Sequence, residues 1–432
     1  MAEQIQPVRG MNDVLPAEIG AWQYLENCTR ELLGAYGYEE IRVPLVERTE
    51  LFQRAIGEHT DVVGKEMYTF LDRGGDSLTL RPEATAGIVR ALISNGLLRG
   101  ARHKLWCLGP MFRHEAPQAG RYRQFWQVDV EAVGCPGPDV DAELIGLSAR
   151  LWQRLGIGGL QLQINSLGTP ESRREYRARL IEYLRAHEAR LDADSQRRLT
   201  GNPLRVLDSK NPQMQDIISG APLLTEHLDP ESREHFEELC RLLAAVGVPY
   251  EINPRLVRGL DYYNRTVFEW ITASTAAQNA VCSGGRYDGL IAQLGGEATP
   301  AVGFAMGVER LVALVVAAGR APPPGAPDVY VVVGGAQAAG PALQLVERLR
   351  SERPRLRFEL NLGGGNFKAQ FRRADKSGAA LALIVGEDEL ARGVVAVKPL
   401  RAETGQSECP IAQLSAAVDA ALAAARGGAP AS

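Results

Sequence analysis

What this sequence lacks narrows it quickly. Its 432 residues hold six cysteines, Cys28, Cys107, Cys135, Cys240, Cys282 and Cys409, and no two of them form a CxxC pair. That argues against a zinc site and a disulfide framework, and it fits a reducing cytoplasm. The longest apolar run, Leu311–Gly319, falls well short of the roughly 20 residues a membrane helix needs, so no membrane association is expected. The opening stretch has no apolar core behind a basic start, and no secretory signal is expected. No segment fits GxxxxGK[ST], the Gly363–Gly365 run lacks that spacing, and no GxGxxG follows a strand and opens a helix. Any nucleotide bound here must have its phosphates held by arginines and metal, without a glycine cradle. Internal repeats and low-complexity tracts are absent too.

What is present is ordinary in bulk and uneven in detail. A hydrophobic share of 45% and a charged share of 23% suit a soluble globular chain of two or three domains. The net charge of −4 by itself disfavours a nucleic-acid partner, but net charge misleads when charge is clustered. From Arg99 to Arg123 there are six bases (Arg99, Arg102, Lys104, Arg113, Arg121, Arg123) against one acid, Glu115. From Ser351 to Lys376 there are seven bases against three acids. These stretches are either two places where phosphate is met or two solvated loops.

The clearest boundary is Arg320–Asp328 (RAPPPGAPD), a stiff Pro/Gly/Ala linker. Beyond it, strands at Val329–Gly335, Arg357–Leu362, Ala380–Gly386 and Val394–Leu400 alternate with helices at Pro341–Glu352, Lys368–Gly378 and from Ile411. That alternation implies a small parallel-type α/β domain over 328–426, ending in a frayed tail. The first 325 residues are different. A helix near Ala17–Gly34 precedes strand-rich segments (EIRVPLVE, MYTFLD, SLTLRP, KLWCLGPMFRHE, RQFWQVDVEAVG). A charged helical block over about 170–250, opening with Glu171–Leu199, then interrupts before strands resume at Pro249. A helical block between two strand-rich blocks is expected to be an insertion into one antiparallel α+β domain.

Five blocks carry chemistry. In Ser77–Gly87 (SLTLRPEATAG) a strand runs into Arg81-Pro82-Glu83, where Pro82 forces an extended turn. That leaves Glu83 and Thr85 facing whatever lies above the sheet, and both accept hydrogen bonds of the kind an ammonium group donates. The plainer alternative for Thr85 is a helix N-cap. Gly109–Gly134 reads as strand, loop at Ala116–Gly120, and strand. Arg113 and Glu115 are expected on one face of the incoming strand, and Phe125, Gln127, Asp129 and Glu131 on one face of the return strand. Such charges are costly as core. They suit a nucleotide and a zwitterion: arginine forks for the α-phosphate, a ring for the base, carboxylates for an amine or an imidazole N–H. Arg255–Trp270 sets Arg258 beside Tyr262 and Tyr263, and Val281–Ile291 sets Gly284-Gly285 beside Arg286 and Asp288. Each is either a turn or a further piece of the same surface. In Ala301–Val315 a strand passes Gly303 into a helix carrying Arg310, which needs a partner that a phosphate would supply.

In this order the blocks resemble the class II aminoacyl-tRNA synthetases, and among them the histidyl-tRNA synthetase family. EIRVPLVERTELF, with Pro44, is similar to the class's dimer-interface motif, FRHE–loop–RYRQF to its second motif and GFAMGVERL to its third. RGLDYY (Arg258–Tyr263) and GGRYDGL (Gly284–Leu290) resemble the two signatures particular to the histidyl enzymes, and the likeness extends over nearly the whole chain. It implies a class II catalytic core over 1–325 with the helical insertion, and an anticodon-binding α/β domain over 328–426. It implies L-histidine, ATP with Mg²⁺, and tRNA(His) as partners, a homodimer, and no dedicated protein metal site. The activity implied is formation of histidyl-adenylate and pyrophosphate, then transfer of histidine to the 3′ end of the tRNA.

Carried over residue by residue, Glu83, Thr85 and Gln127 would hold the α-amino group. Glu131 and Tyr263 would read the imidazole, with Tyr262 beside them. Arg258 would contact the carboxylate and α-phosphate, Arg113 the α-phosphate, Glu115 and Phe125 the adenine, and Arg121 and Arg310 the γ-phosphate end. Arg258 and Arg113 are the candidate catalytic residues, and loss of Arg258 should damage activation most. Lys368, Arg372, Arg373 and Lys376 are candidates for the anticodon end of the tRNA, and the helical insertion for the acceptor stem. One position departs from the family: Ala84 stands where Gly is usual, which is tolerable if φ is negative there. Two other readings compete. A non-catalytic, histidine-sensing regulatory paralogue of ATP phosphoribosyltransferase would be expected to lack the C-terminal domain and some arginines. An inert RNA-binding relative would not keep Arg113, Arg258 and Arg310 together.

Overall fold

A computed structural model of the chain describes residues 4–57, 60–117, 120–207, 209, 211–272, 280–321, 325–401 and 405–427. It divides into two compact units, Met1–Ala321 and Pro322–Ser432. Residues 322–324 of the expected linker, 428–432 of the expected frayed tail and 118–119 of the expected loop lie outside the described residues.

The first unit has strands β1 (Glu39–Glu40), β2 (Val46–Arg48), β3 (Tyr68–Leu71), β4 (Ser77–Leu80), β5 (His103–Phe112) and β6 (Gln124–Val133). It continues with β7 (Leu160–Ser166), β8 (Glu251–Ile252), β9 (Asn264–Thr272), β10 (Ala280–Arg286) and β11 (Ala301–Gly307). Eight of these form one sheet in the order β1-β5-β6-β11-β10-β9-β7-β8, while β2, β4 and β3 form a small separate sheet. All pairings in the large sheet are antiparallel except at its two-residue edges, β1 and β8.

The period of two along β6 makes this sheet two-faced. Val128, Val130 and Ala132 are buried in a core with the helices Ile19–Ala35, Pro138–Leu155, Pro230–Ala245 and Val308–Ala317. Phe125, Gln127, Asp129 and Glu131 point the other way. The helical block is divided accordingly. Pro230–Ala245 covers the apolar back of the sheet, whereas Pro170–Ala186, Ala193–Thr200 and Gln215–Gly220 contribute to the core on the opposite side. The helical stretch expected at Glu171–Leu199 is made of successive helices, the second of which starts at Asp192, whose side chain accepts from the Ser195 amide at 2.7 Å.

Behind the sheet lies a buried ionic network. The Asp141 carboxylate accepts from Arg286 at 2.5 Å, from Thr266 at 2.7 Å and from a ring nitrogen of His235 at 2.8 Å. Arg286 also donates to the Cys135 and Gly137 carbonyls. This corrects the expectation that Arg286 adds to the functional surface: with no exposed area it is a structural tie. Asp141→Ala is expected to lower the unfolding free energy by about 3–5 kcal/mol, because it leaves a buried guanidinium uncompensated. A loss below about 1 kcal/mol in a urea titration, within the usual range of neutral surface changes, would show that the pair is dispensable.

The second unit holds β12 (Val329–Gly334), β13 (Phe358–Leu360), β14 (Leu381–Gly386), β15 (Val394–Pro399) and β16 (Ser407–Pro410), ordered β13-β12-β14-β15-β16. β12 runs parallel to β13 and β14, but β15 and β16 are antiparallel additions. The sheet is therefore mixed where a parallel-type one was expected. The reason is connection length: the short link from Gly386 to Val394 cannot make the crossover that a parallel neighbour needs, roughly a dozen residues or more.

Candidate active site

The polar face of the large sheet opens into a cavity of about 490 Å³. Gly303 forms part of its floor. A methyl at Gly303 would overlap the Glu131 carboxylate, while in the neighbouring strand one at Gly284 would overlap the Gly303 carbonyl and one at Gly285 would meet the Thr266 carbonyl at 2.5 Å. These positions need glycine because sheet and side chains close over them.

At one end the carboxylates gather. Glu131, 2% exposed, accepts from the Thr85 hydroxyl at 2.6 Å and from the Tyr287 phenol. Thr85 is thus no N-cap: Ala84 holds that position, and the Thr85 hydroxyl is committed to Glu131. Glu83 accepts from the Tyr262 phenol at 2.8 Å and the Ala86 amide at 3.1 Å, and burial raises its pKa above the ordinary carboxylate range. Ala84 between them has φ −97°, so its methyl carries no backbone strain. Tyr263 packs on Tyr262 with ring centroids 4.6 Å apart.

Glu131 is pushed up to about 8 by burial, with the charges of Asp129 and Glu83 adding and its bonds to Thr85 and Tyr287 opposing. The sign of the consequence follows directly. An unfolded chain gives up this proton near 4.5 and the folded one near 8, so between those values the unfolded state binds fewer protons. The stability associated with neutral Glu131 is complete below about pH 4.5 and lost as pH rises to about 8. The melting temperature of the ligand-free protein should fall across that window, and Glu131→Gln should flatten the fall. An identical slope in both proteins would contradict the assignment.

At the other end the arginines gather. Arg113 lies just past the end of β5, not on its face as expected, because the chain turns there: the Glu115 amide donates to the Arg113 carbonyl at 2.8 Å. Arg113 Nε donates to the Pro82 carbonyl at 2.9 Å, and its guanidinium stands 5.3 Å from the Phe125 ring centroid. Arg121 pairs with buried Glu115. Arg310 donates to the carbonyls of Gly120, at 3.1 Å, and Ala280. The Arg121 pKa is lowered, first by burial and then, against Glu66, by the positive charges of Arg113 and Arg310. Three guanidinium groups that repel one another in a partly dry cavity form a site for a polyanion.

Between the two ends sits Arg258, paired with Glu269 at 2.9 Å, which also accepts from Ser283 at 3.0 Å. The guanidinium lies 5.6 Å from the Tyr263 ring centroid. The cavity therefore brings together Glu83, Thr85, Arg113, Glu115, Arg121, Phe125, Gln127, Glu131, Arg258, Tyr262, Tyr263 and Arg310, every residue expected of the amino-acid and nucleotide sites.

Other residues lining it had no expected role. Tyr287 sits in GGRYDGL, where the glycines drew attention and the phenol did not. Glu309 accepts the Trp126 amide with both oxygens, at 2.9 and 3.1 Å, and burial pushes it up to about 7. Asp129, expected on this face, lines the cavity as well, and Glu269 acts on it through Arg258.

The basic stretch Arg99–Arg123 is not one surface: Lys104 pairs with Glu143 at 2.7 Å, while Arg113 and Arg121 turn into the cavity. In the second unit, Lys368, Arg372, Arg373 and Lys376 all stand exposed on or at the end of the helix Phe367–Lys376. Arg373 is drawn back to Asn361 at 3.0 Å and to the Gly364 carbonyl.

Residues 10–311 match the family model described as histidyl-tRNA synthetase, and residues 328–420 match an anticodon binding domain. A histidyl-tRNA synthetase structure from S. aureus is 34% identical, with a TM-score of 0.80 over 96% of this chain and 100% of that one. A histidyl-tRNA synthetase from Nostoc shares the fold at 21% identity, TM-score 0.70, over 97% of this chain and 100% of that one. So does a protein from Bacillus halodurans named as an ATP phosphoribosyltransferase regulatory subunit/histidyl-tRNA synthetase, at 20% identity, TM-score 0.64, over 89% of this chain and 99% of that one.

Proposed function

The chain belongs to the histidyl-tRNA synthetase family, and on that premise we propose that it activates L-histidine with ATP and transfers it to the 3′ end of tRNA(His). The observation that carries this reading is the single cavity in which a carboxylate–phenol end and a three-arginine end flank Arg258. Histidine's carboxylate is already a nucleophile and needs no general base. It attacks the α-phosphorus in line and pyrophosphate leaves, so the barrier is one of positioning and charge.

Each residue then has a task. Arg258, held by Glu269, orients the attacking carboxylate and meets the charge that develops on the α-phosphoryl oxygens. Arg113 shares that charge while its flat face borders the ring of Phe125. Arg121 and Arg310 hold the departing pyrophosphate, and Glu115 and Phe125 receive the adenine. Glu131 and Tyr263 take the imidazole. Mg²⁺, which the family implies, would be carried in on the phosphates of ATP and would offset their charge together with the arginines. In the second step a terminal ribose hydroxyl of the tRNA attacks the activated carbonyl and AMP leaves.

The second unit is the natural reader of the anticodon, with Lys368, Arg372 and Lys376 facing solvent. The helices between β7 and β8 take the acceptor stem in this reading. A cytoplasmic homodimer is the form the family implies, and no described helix is long and apolar enough to cross a membrane.

A regulatory, non-catalytic role competes with this. Its separation by domain content fails, since the Bacillus halodurans protein, whose name includes that role, matches over 89% of this chain and hence beyond the first unit. The arginines favour the catalytic reading: a sensor of histidine alone has no use for Arg113, Arg121 and Arg310 gathered at one end of the cavity. Histidine-dependent ATP–pyrophosphate exchange by the purified protein tests the proposal. Exchange with histidine and not with other amino acids is expected, and absence of exchange with every amino acid would overturn it.

A further inference from the structure

Asp129 lies on β6 between Gln127 and Glu131, on the same face and roughly 7 Å from each by strand rise. It is 1% exposed and yet borders the cavity. Most carboxylates there are engaged: Glu83 by Tyr262 and the Ala86 amide, Glu131 by Thr85 and Tyr287, Glu115 by Arg121, Asp61 by Arg205 and Glu309 by the Trp126 amide. Both Asp129 oxygens are enclosed and have no side-chain partner among the described residues. The Gln127 side-chain oxygen is in the same condition. Buried acceptors left so are uncommon, and a missing ligand is one recognised reason.

We propose that Asp129 is a further recognition residue for the α-ammonium group of the amino acid, adding a second carboxylate to the acceptors Glu83, Thr85 and Gln127. This rests on the histidine reading of the cavity. An ammonium brings three donors. Thr85 donates its hydroxyl proton to Glu131 and keeps its lone pairs for the ammonium, and Asp129 adds a second carboxylate beside Glu83, whose own oxygens already accept from Tyr262 and the Ala86 amide. The neighbours agree. Asp129 is pushed up to about 7 by burial and then by the charge of Glu83, with Arg81, Arg113 and the backbone amide of Ala84 opposing. Arg81 is occupied by the Val43 and Pro110 carbonyls. Cys107, across the strand pair, has its thiol pushed up to about 11 by burial and the Asp129 charge, so it stays neutral and offers no competing charge.

The test compares three small molecules in pyrophosphate exchange by the wild-type protein, Asp129→Asn and Asp129→Ala. They are L-histidine, histidinol (amine but no carboxylate) and imidazolepropionate (carboxylate but no amine), the last two as inhibitors. Loss of one charge-assisted bond predicts a rise of roughly tenfold to a hundredfold in the histidine KM and the histidinol Ki. The ATP KM and the imidazolepropionate Ki should stay unchanged, and Asp129→Asn should melt no lower than the wild type, since burial and the Glu83 charge disfavour the charge it removes. Unaltered histidine and histidinol constants overturn the proposal. A parallel rise of all three overturns it too, because that reports general distortion. Wild-type protein without histidine-dependent exchange would sink the histidine reading itself, whereas active wild type with unaltered variants sinks this inference alone.

Discussion

Arg258→Ala is expected to reduce histidine-dependent pyrophosphate exchange by roughly 10³-fold, the range seen when a preorganised donor to a developing oxyanion is removed. Because that donor acts mostly on the transition state, kcat should carry most of the loss and the KM for ATP little of it. Arg258→Lys should recover only part, since an ammonium keeps the charge and forfeits the planar fork. Glu269 would lose its partner in either variant, so melting curves belong with the kinetics. A variant that melts with the wild type and exchanges within about tenfold of it would remove Arg258 from the centre of the reaction.

Glu131→Ala should separate the two substrates most sharply. It deletes the acceptor at the imidazole end and leaves the Thr85 hydroxyl and the Tyr287 phenol without their shared partner. Unpaired polar groups in a recognition site discriminate by factors of about 10⁴, and a loss of roughly 10²–10⁴ in kcat/KM for histidine is expected. ATP binding, measured by equilibrium titration without histidine, should hardly change, because the arginine end is built from other elements. Equal losses for both substrates would undo the assigned role. Glu131→Gln retains one acceptor and should fall between the two.

The site was more legible in the sequence than the fold details were, for a physical reason. Residues at alternate positions of one strand must share a face, so Phe125, Gln127, Asp129 and Glu131 were placed by spacing alone. Arg258 and Arg310 stood out because charge in apolar surroundings demands a partner. The same logic failed for Arg286, whose partner Asp141 is a protein group 145 positions away along the chain; a sequence shows the demand and not who meets it. Tyr287 was overlooked because a phenol is at home in any core, and only its bond to Glu131 distinguishes it. The bend after Phe112, which takes Arg113 and Glu115 off the strand, is set by local backbone bonding that no residue type announces. In the second unit, β16 is short and largely exposed, and the antiparallel return of β15 depends on connection length, which strand patterns do not encode.

Gly303 sets a limit on what the pocket can be made to accept. An engineer seeking to charge a tRNA with a bulkier imidazole analogue would normally trim the residue beneath the ring, but at Gly303, under Glu131, nothing remains to trim. Room must then come from the walls, and with the imidazole at Glu131, as proposed, these include Thr85, Tyr263 and Tyr287. Two of these, Thr85 and Tyr287, hold Glu131 in place. Every added cubic ångström there is taken from the groups that tell imidazole from other rings, so wider repertoire and lost fidelity should rise together in any selected variant.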